Sequence, residues 1–352
     1  MKEALDKLVE EGWLISQVHP TLDLTIYNYS QKTQYEGHWT PETLAARGLV
    51  LNSKGEVVAR PFPKFFNVEE VKDEIPDLPF EVYEKMDGSL GIFFWYADEK
   101  TESMVPVFAS RGSFTSEQAV KGWEMLKKRP YHDLLWGYTH IFEVIYPENR
   151  IVVDYGGMED LVLLGIIKTS DGTEVSRQNI EEHLSDSFNL VNVYNFKESW
   201  ITLKSRNEPN SEGYVLRFSN GYRVKVKFED YVRLHRIVTQ VSNVDVWEML
   251  KEGKPLDELI DRVPDEFYDW VKETVRDLVA RHDNILSDYQ SYYRDICEKV
   301  SPDDRKAFAE EAKRYNHPGI LFGMLDGKDC SQIVWKMIRP KWSKPFKKEE
   351  LS

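Results

Sequence analysis

The stretch Glu84–Ser89, with the sequence Glu-Lys-Met-Asp-Gly-Ser, places a lysine beside a predicted turn. It lies between two apolar runs, Phe80–Tyr83 and Leu90–Tyr96, whose aromatic and β-branched residues predict strands. Asp-Gly between such runs predicts a tight turn, because glycine adopts positive φ at no steric cost. The turn would hold Lys85 at the end of a rigid strand, where an unprotonated amine is a nucleophile. A hairpin with a surface lysine is the alternative that this stretch alone leaves open.

Two glutamates lie in predicted strands. Glu143 sits in the alternating run 140–146, where a buried carboxylate is costly unless it is paired or bound to a metal. Structural ion pairing is the alternative to a functional role. Glu212 begins the strand-like run 212–218, and Asn220-Gly221 then predicts a hairpin turn.

The return strand of that hairpin carries three cations. Arg223, Lys225 and Lys227 are spaced by two, so all three are predicted to point to one face. Such a row suits a polyphosphate site, and a solvated polar face is the alternative. Upstream, the stretch 60–67 embeds Arg60 and Lys64 among aromatic residues and prolines, which exclude a helix interior. It suits either a phosphate contact or an apolar loop that seals the edge of a core.

Composition limits the class of protein. The chain has 352 residues, of which 41% are hydrophobic, enough for a sizeable core and two domains. A net charge of −14 argues against nucleic-acid binding over the whole surface but allows a local basic groove. Two cysteines do not make a disulfide framework. Without a signal-like block or a run of about 18 apolar residues, the chain is predicted to be soluble, cytoplasmic and free of membrane contact.

The pattern changes after Asp230, where strand signals give way to helical periodicity. This predicts a catalytic domain over residues 1–240 and a helical domain over residues 241–352, with separate helices over 265–280 and 284–300. The predicted class is α+β, with antiparallel sheets and flanking helices followed by an all-α domain. Near the C-terminus, basic residues alternate with aromatic residues such as Trp335 and Trp342, which suits either nucleic-acid contact or a solvated tail.

The ordered set of motifs resembles the covalent nucleotidyltransferase superfamily of ligases and capping enzymes. Lys-x-Asp-Gly at Lys85, a Glu-bearing strand at Glu143, Glu-Gly at Glu212 and Lys-x-Lys at Lys225 occur in that order. In detail the chain is similar to the phage type-one ATP-dependent RNA ligases, over roughly residues 25–236. The Arg-Pro-x-x-Lys-Phe-Phe-Asn stretch and the serine after Lys-x-Asp-Gly contribute to that likeness.

The resemblance implies an RNA ligase that joins 3′-hydroxyl and 5′-phosphate ends in three steps, in RNA repair and with tRNA as a candidate substrate. Lys85 would attack ATP to give lysyl-AMP, AMP would pass to the RNA 5′-phosphate, and the 3′-hydroxyl would displace it. Implied metal ligands are Glu212 and Glu143, for Mg²⁺ or alternatively Mn²⁺. Implied nucleotide contacts come from Arg47, Lys64, Glu84, Arg111, Glu143, Lys225 and Lys227. A monomer with a helical RNA-specificity domain is expected.

One departure concerns Arg111, because the family usually has lysine there. Arginine keeps the charge but presents a planar fork rather than a point charge. Two other functions stay open. A DNA ligase or GTP-dependent capping guanylyltransferase would carry an oligonucleotide-binding barrel after Lys227, and residues 240–352 lack its strand signals. An inactive RNA-binding module with the ligase fold would be expected to lose Lys85 or the Lys-x-Lys pair, which are present.

Overall fold

The computed structural model describes residues 1–71, 75–196, 198–232, 235, 241–256 and 268–341. The chain divides into two compact units, Met1–Val238 and Thr239–Ser352. The first is built on three sheets, and the described part of the second is helical. The predicted α+β class is confirmed. Among the described residues no helix is both long and apolar enough to cross a membrane.

The first sheet is antiparallel and has the strand order β1-β2-β3-β4. Short helices flank it, and the last two are capped by hydroxyl side chains, Ser30 on the Thr33 N–H and Thr40 on the Thr43 N–H. Its core includes Leu5 of the first helix. The elements are α1 (Lys2–Glu10), β1 (Leu14–Val18), β2 (Thr25–Tyr29), α2 (Gln31–Glu36), α3 (Pro41–Ala45), β3 (Arg47–Leu51) and β4 (Val57–Ala59).

The second sheet has the order β11-β10-β9-β7-β8 and is antiparallel except for its β10–β11 pair. Its long strands follow the apolar runs of the sequence, and their buried side chains form two core clusters. The elements are β7 (Ser89–Asp98), β8 (Ser103–Ser110), α4 (Glu117–Leu126), β9 (Tyr138–Ile145), β10 (Asp160–Lys168), α5 (Arg177–Leu184) and β11 (Asn189–Leu190), with 3₁₀ turns at Tyr131–Asp133 and Pro147–Asn149.

The third sheet has the order β12-β6-β13-β14-β5, and its β14–β5 pair is parallel. Alternation along β14 buries Val224 and Val226 in the core and leaves Lys225 and Lys227 on the opposite face. The predicted hairpin at Asn220-Gly221 is present, with Gly221 at φ +85°. The elements are β5 (Phe66–Asn67), β6 (Phe80–Glu84), β12 (Val193–Tyr194), α6 (Trp200–Lys204), β13 (Gly213–Phe218) and β14 (Arg223–Lys227).

The described residues of the second unit form one long helix and several short ones. The prediction of separate helices over 265–280 and 284–300 was wrong, because a single helix continues through Arg281-His282-Asp283, where no glycine or proline breaks it. Trp335 is buried and stacks on His282 at 4.4 Å, so its indole is a core group; Trp342 lies outside the described residues. The helices are α7 (Asn243–Glu252), α8 (Tyr268–Lys299), α9 (Arg305–Ala312), α10 (Pro318–Leu325) and α11 (Ser331–Met337).

Candidate active site

Lys85 directly follows β6, and its amine contacts a buried carboxylate. Lys85 Nζ lies 2.6 Å from Glu212 Oε1, and Lys227 Nζ lies 3.5 Å from the same oxygen. The β13–β14 register pairs Gly213 with Lys227, and the Lys85 N–H donates to the Gly213 carbonyl at 2.9 Å. The strand pairing therefore brings together three residues that are far apart in sequence. The Glu212 side chain is only 4% exposed, so both ammonium groups meet a largely desolvated charge.

The turn after Lys85 is fixed by Asp87. Its carboxylate accepts hydrogen bonds from the Val152 and Val153 N–H groups at 2.9 and 2.8 Å and from the Tyr231 hydroxyl at 2.8 Å. Its own N–H donates to the Tyr155 hydroxyl at 2.8 Å. These contacts occupy both carboxylate oxygens, so Asp87 holds the backbone rather than facing a substrate.

Gly88 and Ser89 also hold the turn in place. A Cβ on Gly88 would lie 2.7 Å from the Val144 carbonyl oxygen, so only glycine fits between the turn and β9. Ser89 Oγ accepts a hydrogen bond from Asn149 Nδ2 at 2.9 Å. Tyr231 carried no sequence signal for a role at this turn, because it lies 144 residues from Asp87.

Glu143 lies on β9, opposite the lysine turn. Its Oε1 accepts a hydrogen bond from the Gly88 N–H at 3.0 Å. Burial raises the pKa of Glu143 to about 7, and the nearby Glu212 carboxylate adds to the rise, while the positive charges of Lys85 and Arg47 oppose it. This carboxyl group therefore changes its charge near neutral pH.

Two arginines converge on this region from the first and second sheets. Arg47 begins β3; burial lowers the pKa of its guanidinium, and one of its terminal nitrogens is buried without a hydrogen-bond partner among the described residues. Arg111 donates to the Tyr29 hydroxyl at 3.3 Å and lies over that ring at 5.3 Å. The Arg111 guanidinium thus combines a hydrogen bond and a cation–π contact on the same tyrosine.

Lys64 is 8% exposed and lies inside a group of aromatic rings. Its Nζ is 5.5, 5.3 and 5.4 Å from the ring centroids of Tyr29, Trp39 and Phe66. The rings hold the ammonium group by cation–π attraction while excluding water. Arg60, the other cation of this aromatic stretch, instead donates to the Thr169 carbonyl at 3.1 Å and has a structural role.

The three aligned cations of β14 have different surroundings. Arg223 lies 2.5 Å from Glu174 Oε1, so it does not extend the row of site cations. Lys225 and Lys227 lie on the face that carries the Lys85–Glu212 pair. Glu84, the residue before Lys85, accepts a hydrogen bond from Asn192 Nδ2 at 2.6 Å.

Glu143 and Glu212 are the carboxylates available to a divalent ion at this site. The described ranges contain no group of three or more His, Cys, Asp or Glu side chains that could hold a metal. Mg²⁺ commonly uses one or two protein carboxylates and takes its other ligands from water and substrate phosphates. The two glutamates fit that mode of binding.

Comparisons with known proteins agree with this site. A family model described as RNA ligase matches residues 45–231, more than half of the chain. An RNA ligase of Rhodothermus phage RM378 is 25% identical over 367 residues, which cover 81% of this chain and 82% of that protein. A candidate RNA ligase of Thermovibrio ammonificans is 28% identical over 280 residues, covering 74% of this chain and 70% of that protein.

Among solved structures, a Naegleria gruberi RNA ligase with pyrophosphate is similar with a TM-score of 0.41 and 17% identity. The match covers 49% of this chain and 57% of that one. The family match spans the site residues from Arg47 to Lys227, and the family resemblance found in the sequence is confirmed. The chain belongs to the RNA ligase family.

Proposed function

We propose that this protein is an ATP-dependent RNA ligase that joins RNA 3′-hydroxyl and 5′-phosphate ends through a lysyl-AMP intermediate on Lys85. The observation that carries the proposal is the position of the Lys85 amine, fixed at a strand end 2.6 Å from Glu212 Oε1. Membership of the RNA ligase family supports the polynucleotide substrate. Cut tRNA is the first substrate to test with the protein. A monomeric state is also predicted.

In the first step Lys85 Nζ bonds to the α-phosphorus of ATP, and the bond from that phosphorus to the pyrophosphate oxygen breaks. The amine must lose its protons as the bond forms, and Glu212 Oε1 is placed to accept one. In lysyl-AMP the Lys85 nitrogen no longer carries a positive charge. Once Glu212 has released the accepted proton to solvent, Lys227, 3.5 Å from Glu212 Oε1, keeps this buried carboxylate paired.

The cations of the site supply the main electrostatic contribution. In-line phosphoryl transfer depends on positioning and on neutralising the phosphate oxygens. The proposed phosphate contacts are Arg47, Lys64, Lys225 and Lys227. Arg111, which contacts Tyr29, is proposed as a further contact with the nucleotide. In the second and third steps AMP passes to the RNA 5′-phosphate, and the RNA 3′-hydroxyl then displaces AMP. Glu84 is proposed to face the nucleotide.

Glu143 and Glu212 would hold Mg²⁺ or Mn²⁺ with its water ligands. Such an ion would neutralise charge on the phosphate oxygens. The pKa of Glu143, about 7, makes its occupancy by a cation sensitive to pH near neutrality, because only the ionised carboxylate is a good ligand.

The helical unit is proposed to bind the body of the RNA. Between Asp329 and Glu349 the sequence has six basic and no acidic residues. Lys251 and Arg339 lie 5.0 and 5.3 Å from the Trp247 ring centroid. Lys336 and Lys341, which are close to Arg339 in sequence, are exposed. No carboxylate in the described ranges forms a salt bridge with any of these four cations, which leaves them available to phosphates.

The test is covalent labelling. The protein is incubated with a divalent ion and ATP or GTP labelled at the α-phosphate, then denatured and examined for label on the polypeptide. Label from ATP is expected in the wild type and not in Lys85→Ala. Lys100→Ala, a change of an exposed lysine beyond β7, is the matched control and should label normally.

The other outcomes decide between the alternatives. Label from GTP alone would assign the chain to the capping enzymes. Adenylylated protein that seals 5′-phosphorylated DNA but not RNA would make it a DNA ligase. Absence of label from both nucleotides, in protein whose mass shows no bound AMP, would contradict the enzyme proposal and favour an RNA-binding module.

A further inference from the structure

Asn67 is a buried polar side chain whose hydrogen-bonding groups are unused. It ends β5 and is 2% exposed, yet neither its amide nitrogen nor its amide oxygen has a hydrogen-bond partner among the described residues. Its backbone N–H, by contrast, donates to Glu70 Oε2 at 2.7 Å. Burial of an amide without partners costs free energy, so native proteins seldom retain one unless a bound molecule completes it.

The register of the third sheet shows which way this amide faces. β5 pairs in parallel with β14, and Asn67 lies opposite Lys225. Directly paired residues project to the same side of a sheet, so Asn67 shares the face of Lys225 and Lys227. The other face carries Val224 and Val226, which are fully buried in the core. The unused amide therefore faces the candidate active site.

The chemistry of the amide restricts its ligand. The Nδ2 group donates and can bind a phosphate oxygen, as expected beside Lys225. The Oδ1 atom only accepts, and an ionised phosphate cannot satisfy it, because phosphate oxygens are acceptors too. A nucleotide, which carries a phosphate and ribose hydroxyls close together, satisfies both atoms. ATP and the terminal nucleotide of an RNA strand share this chemistry, and the two assays below separate them.

We infer that Asn67 positions the 3′-terminal nucleotide of the RNA strand whose hydroxyl attacks in the sealing step. The inference rests on the proposed ligase function. It assigns Asn67 as a positioning residue: the amide oxygen accepts from a ribose hydroxyl, while the amide nitrogen donates to the neighbouring phosphate. The bonds made and broken in the sealing step are unchanged by it.

The test separates the steps of the reaction. Asn67→Ala and the isosteric Asn67→Asp are compared with wild type in two assays: labelling of Lys85 by ATP, and sealing of a pre-adenylylated RNA strand to a 3′-hydroxyl strand without ATP. Sealing is expected to fall at least about tenfold in both variants, with a higher KM for the 3′-hydroxyl strand, since one hydrogen bond to a ligand is lost. Labelling of Lys85 should stay within about twofold of wild type, because the RNA strand takes no part in the first step.

The matched control is Asn220→Ala, which removes an exposed asparagine at the β13–β14 turn of the same sheet and should leave both assays unchanged. If labelling falls as far as sealing in folded variants, the amide serves ATP, and the inference is wrong. If neither falls, Asn67 is structural only. If Asn67→Ala does not fold, Asn67→Asp gives the same comparison. Absence of label in wild type would instead defeat the proposed function itself, and label without RNA sealing would overturn the RNA assignment together with this inference.

Discussion

The Gly88 N–H donates to Glu143 Oε1 at 3.0 Å and joins the turn that carries Lys85 to the central sheet. This contact places a carboxyl group with a pKa of about 7 beside the proposed nucleophile. The protonation of the Glu143 carboxyl group on β9 is therefore coupled to the geometry of the turn.

The first prediction concerns Glu143→Gln and pH. The pKa of Glu143 is raised from 4.5 to about 7, so between these pH values the unfolded chain releases a proton that the folded protein keeps. The free energy of unfolding of the wild type therefore falls by about 2–3 kcal/mol as the pH rises across this window. Above pH 7, Glu143 causes no further loss of stability. Glutamine does not titrate, yet it still accepts from the Gly88 N–H.

Urea denaturation of both proteins from pH 4.5 to 8 measures the effect. The stability of Glu143→Gln relative to wild type should increase as the pH rises to 7 and then level off. Glu159→Gln, a change of a more exposed glutamate that pairs with Lys121, is the control. Parallel pH profiles for wild type and Glu143→Gln would show that the group is not the one titrating.

The second prediction contrasts two cations on one strand. Arg223→Met removes a half-buried partner of Glu174 and should destabilise the fold by about 1–3 kcal/mol, with labelling of Lys85 close to wild type once folded. Lys225→Met should instead slow labelling at least about tenfold, because a proposed phosphate contact is lost.

Denaturation midpoints and labelling rates are measured on both variants. The expected pattern is a crossed one, with the larger stability loss in Arg223→Met and the larger rate loss in Lys225→Met. Equal labelling rates in the two variants would mean that Lys225 makes no contact with the nucleotide that matters for the first step.

The third prediction tests the helical unit as an RNA-binding surface. Lys251→Gln with Arg339→Gln keeps much of the side-chain packing on Trp247 but removes two charges. RNA affinity should fall about three- to tenfold at moderate salt. The slope of log affinity against log salt concentration should decrease by the equivalent of about one to two phosphate contacts. Labelling of Lys85 should not change.

Lys313→Gln with Arg314→Gln is the matched control, because these two cations already pair with Glu310 and Glu311. Filter-binding titrations at several salt concentrations give both quantities. If the control pair weakens RNA binding as much as the Lys251 and Arg339 pair, the effect reflects net charge alone and the assigned surface is wrong.

The sequence by itself determined the local elements and the family. Alternating apolar residues predict the strands, and Asn220-Gly221 predicts its hairpin correctly, because turns and strand faces depend on neighbours within a few residues. The tight hairpin turn predicted at Asp87-Gly88 was wrong: β6 pairs with β12 and β13, whereas β7 pairs with β8 and β9 in another sheet, so the chain crosses between two sheets here. The motif order around Lys85 likewise identified the RNA ligase family. The break predicted between residues 280 and 284 was wrong, because Arg281-His282-Asp283 contains no glycine or proline that would end the helix.

Tertiary structure decided which of these side chains lie in the site. Equal spacing gave Arg223, Lys225 and Lys227 equal standing, but Glu174, 49 residues from Arg223, pairs with that arginine and removes it from the row. The raised pKa of Glu143 and the unused amide of Asn67 also depend on strands that meet only in the fold. Burial and charge act through space, so a linear pattern identifies candidate residues while the packed sheets determine their chemistry.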